Sequence, residues 1–219
     1  MTGMNFYAIL FDLDGTLLDT LHDLADSMNA VLARMGFAPH YVDAYRYFVG
    51  DGVLNLARRA LPESARDERT VASCAALMRE EYDRRWADKT RPYPGVPELL
   101  EWLHAREVKL AVLSNKGEDF TRKTVARFLP SGVFAAVRGY RDDGVLKPDP
   151  RGALAIAREL GLPPTSFLYL GDTATDMKTA IAAGMCPVGA LWGFRTVEEL
   201  ADAGAKHLIE NPQQIRDFY

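Results

Sequence analysis

The chain has 219 residues, 26% of them charged and 48% hydrophobic, with a formal net charge of −4. This is an ordinary globular balance with enough chain for a real core, and it gives no support to a nucleic-acid partner held by bulk electrostatics. No apolar run approaches the length of a membrane span, and Cys74 and Cys186 match no metal or redox spacing, as expected of a protein in a reducing cytoplasm.

Residues 1–5 are too short and too polar for a secretory signal. Residues 6–11 then run apolar without alternation, the mark of a buried strand. That run ends in Asp12-Leu13-Asp14-Gly15-Thr16. On an extended chain, residues two apart project to the same side, so both carboxylates are expected to meet where the strand reaches solvent. Asp-Gly is also common turn chemistry. Paired like charges at a buried strand end, however, are costly without a cation or a reaction to justify them. Helical spacing follows over residues 21–36, carried by Leu21, Leu24, Ala25, Met28, Val31, Leu32 and Met35, with Gly36 as the C-terminal cap. Residues 39–49, 53–61 and 63–88 read as three more helices, separated by Gly50-Asp51-Gly52 and by Pro62.

Arg91-Pro92-Tyr93-Pro94-Gly95 has the composition of a boundary. Beyond it the texture alternates: helix 96–106, strand 109–113, helix 118–129, strand 133–137, helix 150–160, strand 167–170 and helix 175–184. Residues 186–191, 197–203, 206–209 and 212–218 continue the pattern more weakly. Strands alternating with helices specify a parallel sheet covered on both faces. The expected fold is therefore α/β, a Rossmann-like parallel sheet core of residues 1–17 and 91–219 with an all-helical domain, 18–90, inserted after the first strand.

In such sheets ligands sit at the carboxyl ends of the strands. Four polar clusters fall there: Asp12, Asp14, Gly15 and Thr16; Ser114 and Asn115; Lys147, within Leu146-Lys147-Pro148-Asp149-Pro150; and Gly171, Asp172, Thr173 and Asp176. Pro148 restricts Lys147 to extended conformations, and Asp149-Pro150 fits the start of a helix, so the lysine is presented by a stiff segment. Four aspartates converging on one lysine would repel one another, raising their pKa values or requiring a metal. Hard carboxylate oxygens suit Mg2+, which typically shares a substrate phosphate. A carboxylate nucleophile, a hydroxyl, a lysine and Mg2+ together suit phosphoryl transfer.

The ordered set Asp12-Leu-Asp14-Gly15-Thr16, Ser114-Asn115, Lys147 and Gly171-Asp172-Thr173-Ala-Thr-Asp176 resembles the four motifs of the haloacid dehalogenase superfamily, over nearly the whole chain. The segments LGDTATDMKTAIAAGM and VGDGVLNLARRAL look most like those of phosphoglycolate phosphatases and their close relatives. The resemblance implies that the helical insertion is a small mobile cap that closes over the core. It makes Asp12 the nucleophile and Asp14 the proton carrier. It assigns Mg2+ to Asp12, the Asp14 carbonyl and Asp172, with Asp176 nearby. Ser114, the Asn115 amide and Lys147 would hold the phosphoryl oxygens, with Gly15 and Thr16 ordering the loop beside them. Asp14 favours phosphate esters, since dehalogenases of this superfamily lack an aspartate there. Arg58 and Arg59 are candidates for contacting the substrate from the cap, and Lys116 reads as a solvated neighbour of the site.

The implied activity is hydrolysis of a small phosphorylated metabolite, with 2-phosphoglycolate the first guess. A phosphomutase of the β-phosphoglucomutase type is the alternative. A non-enzymatic phosphate-responsive module is a third reading, against which stand the helical insertion and the Gly171-Asp172 segment. No nucleic acid or membrane partner is expected, and the sequence sets no oligomeric state.

Overall fold

In the computed structural model, which describes residues 6–141 and 144–219, the N-terminal apolar run forms β1 (Ala8–Phe11), every residue of it buried. Among the described residues it lies inside a six-stranded sheet with β4 (Lys109–Gly117), β5 (Phe134–Tyr140), β6 (Phe167–Gly171), β7 (Cys186–Ala190) and β8 (His207–Ile209). The order is β5-β4-β1-β6-β7-β8, and every neighbouring pair is parallel. The chain thus winds outward from β1 first in one direction and then in the other. This doubly wound arrangement leaves a crevice at the carboxyl end of β1, where the direction reverses.

The unbroken apolar runs arise because the sheet is covered on both sides. Ile9, Phe11, Leu110, Val112, Leu168 and Leu170 face one core, completed by Leu99, Leu100 and Leu103 of α5 (Val96–His104) and by Val125 of α6 (Glu118–Phe128). Ala8, Leu10, Ala111, Leu113, Phe167 and Tyr169 face the other, packed on Ala153 and Ile156 of α7 (Arg151–Glu159) and Ala180 of α8 (Ala174–Ala183). The short α9 (Val197–Asp202) adds Leu200, which is fully buried.

The chain divides into two compact units, residues 1–18 with 92–219 and residues 19–91. A small ladder pairs β2 (Leu18–Asp19) with β3 (Arg91–Pro92), the two places where the chain passes from one unit to the other. The second unit is helical: α1 (Leu21–Arg34), α2 (Tyr45–Phe48), α3 (Val53–Ala60) and α4 (Glu68–Arg85). Met28, Val31 and Leu32 of α1, Leu56 and Ala57 of α3, and Val71, Cys74 and Met78 of α4 are buried. The Asp23 carboxylate is buried too, and it accepts from the Lys89 and Thr90 amides and the Thr90 hydroxyl at 2.8–3.0 Å. Both cysteines are buried free thiols whose pKa is pushed up by burial. No helix among the described residues is long and apolar enough to cross a membrane.

Two expected helices are divided. The 39–49 segment holds only a 3-10 turn, Val42–Ala44, and the short α2, because the Asn29 side chain bonds both the N–H and the C=O of His40 at 2.9 Å and keeps that stretch out of a helix. The 63–88 segment restarts at Asp67, whose carboxylate accepts from Thr70 N at 3.0 Å and caps α4. Strand β4 runs four residues past its expected end at Leu113, to Gly117, so Ser114 and Asn115 lie within it.

Candidate active site

The crevice at the end of β1 is filled by charge. Asp12 follows the last residue of β1, Ser114 and Asn115 belong to neighbouring β4, and Asp172 follows the last residue of β6 on the other side. Carboxylate oxygens of Asp12, Asp172 and Asp176 lie within 4.8 Å of one another, and all three residues are buried. Lys147 Nζ stands 2.7 Å from an oxygen of Asp12 and 2.7 Å from one of Asp176, with its side chain only 3% exposed. With all three carboxylates ionised, the one ammonium would leave two negative charges uncompensated in a buried space.

The electrostatics register that excess. Burial, reinforced by the Asp176 charge, lifts Asp12 well above the usual carboxylate range, while Lys147 opposes the shift. Burial and the Asp176 charge push Asp172 up to about 7, against hydrogen bonds from Phe194 N and the Thr16 hydroxyl. Burial alone would pull Lys147 down, but the Asp12 and Asp176 carboxylates hold its ammonium well above the ordinary lysine range. Three hard oxygen donors that outnumber the one neighbouring ammonium fit a divalent cation, whose charge would favour their ionised forms.

Local chemistry aims each group. Thr173 and Asp176 form a reciprocal cap on α8: the Thr173 hydroxyl accepts from Asp176 N, and the Asp176 carboxylate accepts from Thr173 N and Oγ1. The cap fixes Asp176 with its second oxygen on Lys147. Asp172 is gripped by the Thr16 hydroxyl at 2.9 Å and by Phe194 N at 2.8 Å. A Cβ on Gly15, whose φ is +90°, or on Gly193 would fall within 2.3 Å of Asp172 atoms, so only glycine lets both loops close on that carboxylate. The Asn115 amide clasps the Lys147 backbone, accepting from its N–H at 2.8 Å and donating to its C=O at 3.2 Å. The Lys147–Pro148 peptide is cis. A small cleft lined by Ser114, Asn115, Arg138, Arg141 and Lys147 opens beside the lysine.

Three expectations change. The chain leaves the extended conformation after Phe11 and turns, so strand geometry does not set the direction of Asp14. Thr16, Leu17 and Leu18 amides all bond back to Leu13 O, and Gly15 N to Leu18 O. Asp14 instead meets Lys116, whose Nζ lies 2.8 and 3.1 Å from its two oxygens. Lys116 is accordingly not a solvated neighbour, since its side chain is 8% exposed. Lys147 serves Asp12 and Asp176 and Lys116 serves Asp14, while Asp172 is held by the Thr16 hydroxyl and Phe194 N rather than by a lysine. Within the helical unit Arg59 closes the turn before α3 on Asp51 and on the Tyr47 and Phe48 carbonyls, while Arg58 is exposed. One contributor had no forecast, the loop after β7. It supplies Phe194 N to Asp172 and donates the Trp192 indole N–H to Thr16 O at 2.9 Å.

The family model for haloacid dehalogenase-like hydrolases matches residues 9–190. The chain is 35% identical to the phosphoglycolate phosphatase of Aquifex aeolicus over 186 residues, covering 85% of each protein. It is 29% identical to that of Psychrobacter arcticus over 221 residues, covering 98% of this chain and 96% of the relative. A crystal structure from Haemophilus somnus, titled a predicted phosphoglycolate phosphatase, superposes with a TM-score of 0.90 at 27% identity, covering 97% of both chains.

Proposed function

The chain belongs to the haloacid dehalogenase-like hydrolases, and on that premise we propose that it is a Mg2+-dependent phosphatase of small phosphate monoesters, with 2-phosphoglycolate as its first candidate substrate. The observation that carries the reading is the buried Asp12 at the end of β1, paired at 2.7 Å with a buried Lys147 beside two further carboxylates. A lone carboxylate is a poor nucleophile towards an anionic phosphate unless the incoming charge is neutralised and the groups are held in line. Both conditions have residues here.

In the proposed reaction an Asp12 oxygen attacks phosphorus, and the bond from phosphorus to the alkoxy oxygen breaks. Asp14 gives its proton to the departing alkoxide. Water then attacks the aspartyl phosphate, Asp14 takes the water's proton, and Asp12 is regenerated with release of inorganic phosphate. Lys147, the Ser114 hydroxyl and the Asn115 main-chain N–H hold the phosphoryl oxygens, while Gly15 and Thr16 shape the loop beneath them. Asp12, Asp172 and Asp176, with the Asp14 carbonyl, are the groups that would hold Mg2+, which when bound supplies the positive charge this cluster lacks. The names of the relatives support 2-phosphoglycolate, and Arg58 and Arg59 are the candidates from the helical unit for a substrate contact.

The test is inorganic phosphate release with Mg2+ across a panel containing 2-phosphoglycolate and simple sugar phosphates, with Asp12→Asn as control. Release from 2-phosphoglycolate that disappears in the variant supports the reading. Isomerisation of a sugar phosphate with almost no phosphate freed would establish a mutase instead. An unaltered rate in Asp12→Asn would remove the nucleophile.

A further inference from the structure

We propose that Lys116 is a positioning residue that holds the Asp14 carboxylate for proton transfer, an inference that rests on Asp14 being the proton carrier of the reaction proposed above. The geometry differs from that of a surface ion pair. Lys116 Nζ contacts both oxygens of Asp14, at 2.8 and 3.1 Å, and the two side chains are only 8% and 12% exposed. Most exposed lysine–carboxylate pairs are mobile and worth little. Here two contacts to one ammonium fix both the direction and the plane of the carboxylate.

The lysine is itself anchored. It lies near the end of β4, where its N–H donates to Ser114 Oγ at 3.2 Å and its carbonyl accepts from the Thr121 hydroxyl at 3.1 Å. Strand β5 presses against it, since a Cβ on Gly139 would come within 2.6 Å of the Lys116 carbonyl. The strand that carries the phosphate-holding Ser114 and Asn115 therefore also carries the group that aims Asp14. Asp14 needs that support, because it sits in a turn after β1 and its carboxylate is not part of the Asp12, Asp172 and Asp176 cluster. Lys116 neither gains nor loses a proton in this role. The proton passes from Asp14 to the alkoxide, and Lys116 restricts where Asp14 can stand when it does so.

The experiment compares rates of phosphoryl transfer to Asp12 for two esters, in Lys116→Met, Lys116→Arg, Asp14→Asn and the Asp14→Asn/Lys116→Met double variant. One ester is 2-phosphoglycolate, whose alkoxide must be protonated as it leaves. The other is p-nitrophenyl phosphate, whose phenolate leaves unprotonated and is read as a burst. Lys116→Met is expected to slow transfer from the alkyl ester by roughly 10²-fold and that from the aryl ester by less than about threefold, the range set by misplacing one proton donor. Lys116→Arg should recover part of the loss, and the double variant should be no slower than Asp14→Asn alone. Equal losses on both esters, or losses that multiply in the double variant, would overturn the inference. If Asp14→Asn itself fails to discriminate between the esters, the proton-carrier reading fails, and that result is distinct from a discriminating Asp14→Asn beside an indifferent Lys116→Met. A folding defect from one unpaired buried ion would slow both esters alike, so the difference between the esters separates it from the expected pattern.

Discussion

Lys147→Met isolates the charge imbalance at the end of β1. The substitution keeps much of the side chain's bulk and removes an ammonium that stands 2.7 Å from Asp12 and 2.7 Å from Asp176 at 3% exposure. Breaking a buried pair by deleting one partner costs about 3–5 kcal/mol, because the other partner stays buried and uncompensated. For a chain of this size each kcal/mol moves Tm by about 2–4 °C, so the metal-free variant should melt about 6–20 °C below the wild type at pH 8. The pH dependence has a definite sign. Asp12 and Asp172 are raised above their unfolded values, Asp172 to about 7, so between the ordinary carboxylate range and that point the folded state binds more protons than the unfolded chain. Stability therefore falls as pH rises through that window. Deleting Lys147 removes a charge that opposes the Asp12 shift, so the variant's deficit should shrink on going from pH 8 to pH 5. Thermal unfolding of both proteins in excess chelator at the two pH values measures it. A deficit under about 3 °C at pH 8, or one as large at pH 5, would refute the reasoning.

Adding Mg2+ to the chelated wild type should raise Tm more at pH 8 than at pH 5, because the proton held by Asp172 up to about pH 7 must leave before its oxygen can bind a cation; equal gains would count against Asp172 as a ligand. Asn115→Ala removes both bonds to the Lys147 backbone and should cost about 1–3 kcal/mol in urea unfolding together with a lower kcat for phosphate release. Gly193→Ala would bring a methyl within 2.2 Å of Asp172 Cβ, and calorimetric titration should show Mg2+ affinity reduced by about 10–100-fold. Asp23→Ala leaves the Lys89 and Thr90 amides without their carboxylate; a loss of about 3 kcal/mol and faster exchange of those two amides are expected, and unchanged exchange would show the bonds to be incidental.

Much of this architecture is legible because it is periodic. The runs at β1, β4 and β6 announce buried strands, and the polar residues that end them fall in the crevice at the switch of strand order. The misreadings have a common physical origin in long-range partners. Nothing local distinguishes Lys116 from a solvated lysine, since the carboxylate that buries it is 102 positions away in the chain. The turn at Leu13 depends on amides returning to its carbonyl, so strand geometry carried past Phe11 does not describe Asp14. The loop after β7 escapes notice for a different reason. Phe194 works through a backbone N–H that every residue but proline possesses, and the only clue is that the loop leaves the same edge of the sheet as the other polar clusters. The cut in the 39–49 helix comes from Asn29, a side chain on another helix supplying bonds that imitate a backbone.

The bond from Tyr93 N to Leu17 O, 3.1 Å long, has a consequence for how such a chain could be rebuilt. The sheet unit leaves off and resumes at two residues already in contact, so the 73 residues of the second unit (19–91) form a detour that begins and ends at one spot. Closing a loop costs entropy that grows only slowly with its length, and ends that already touch make that cost nearly indifferent to what lies between them. Exchange of the segment between Leu18 and Pro92 for helical segments of other lengths, or for a short tether, is therefore expected to leave the register of the host sheet unchanged.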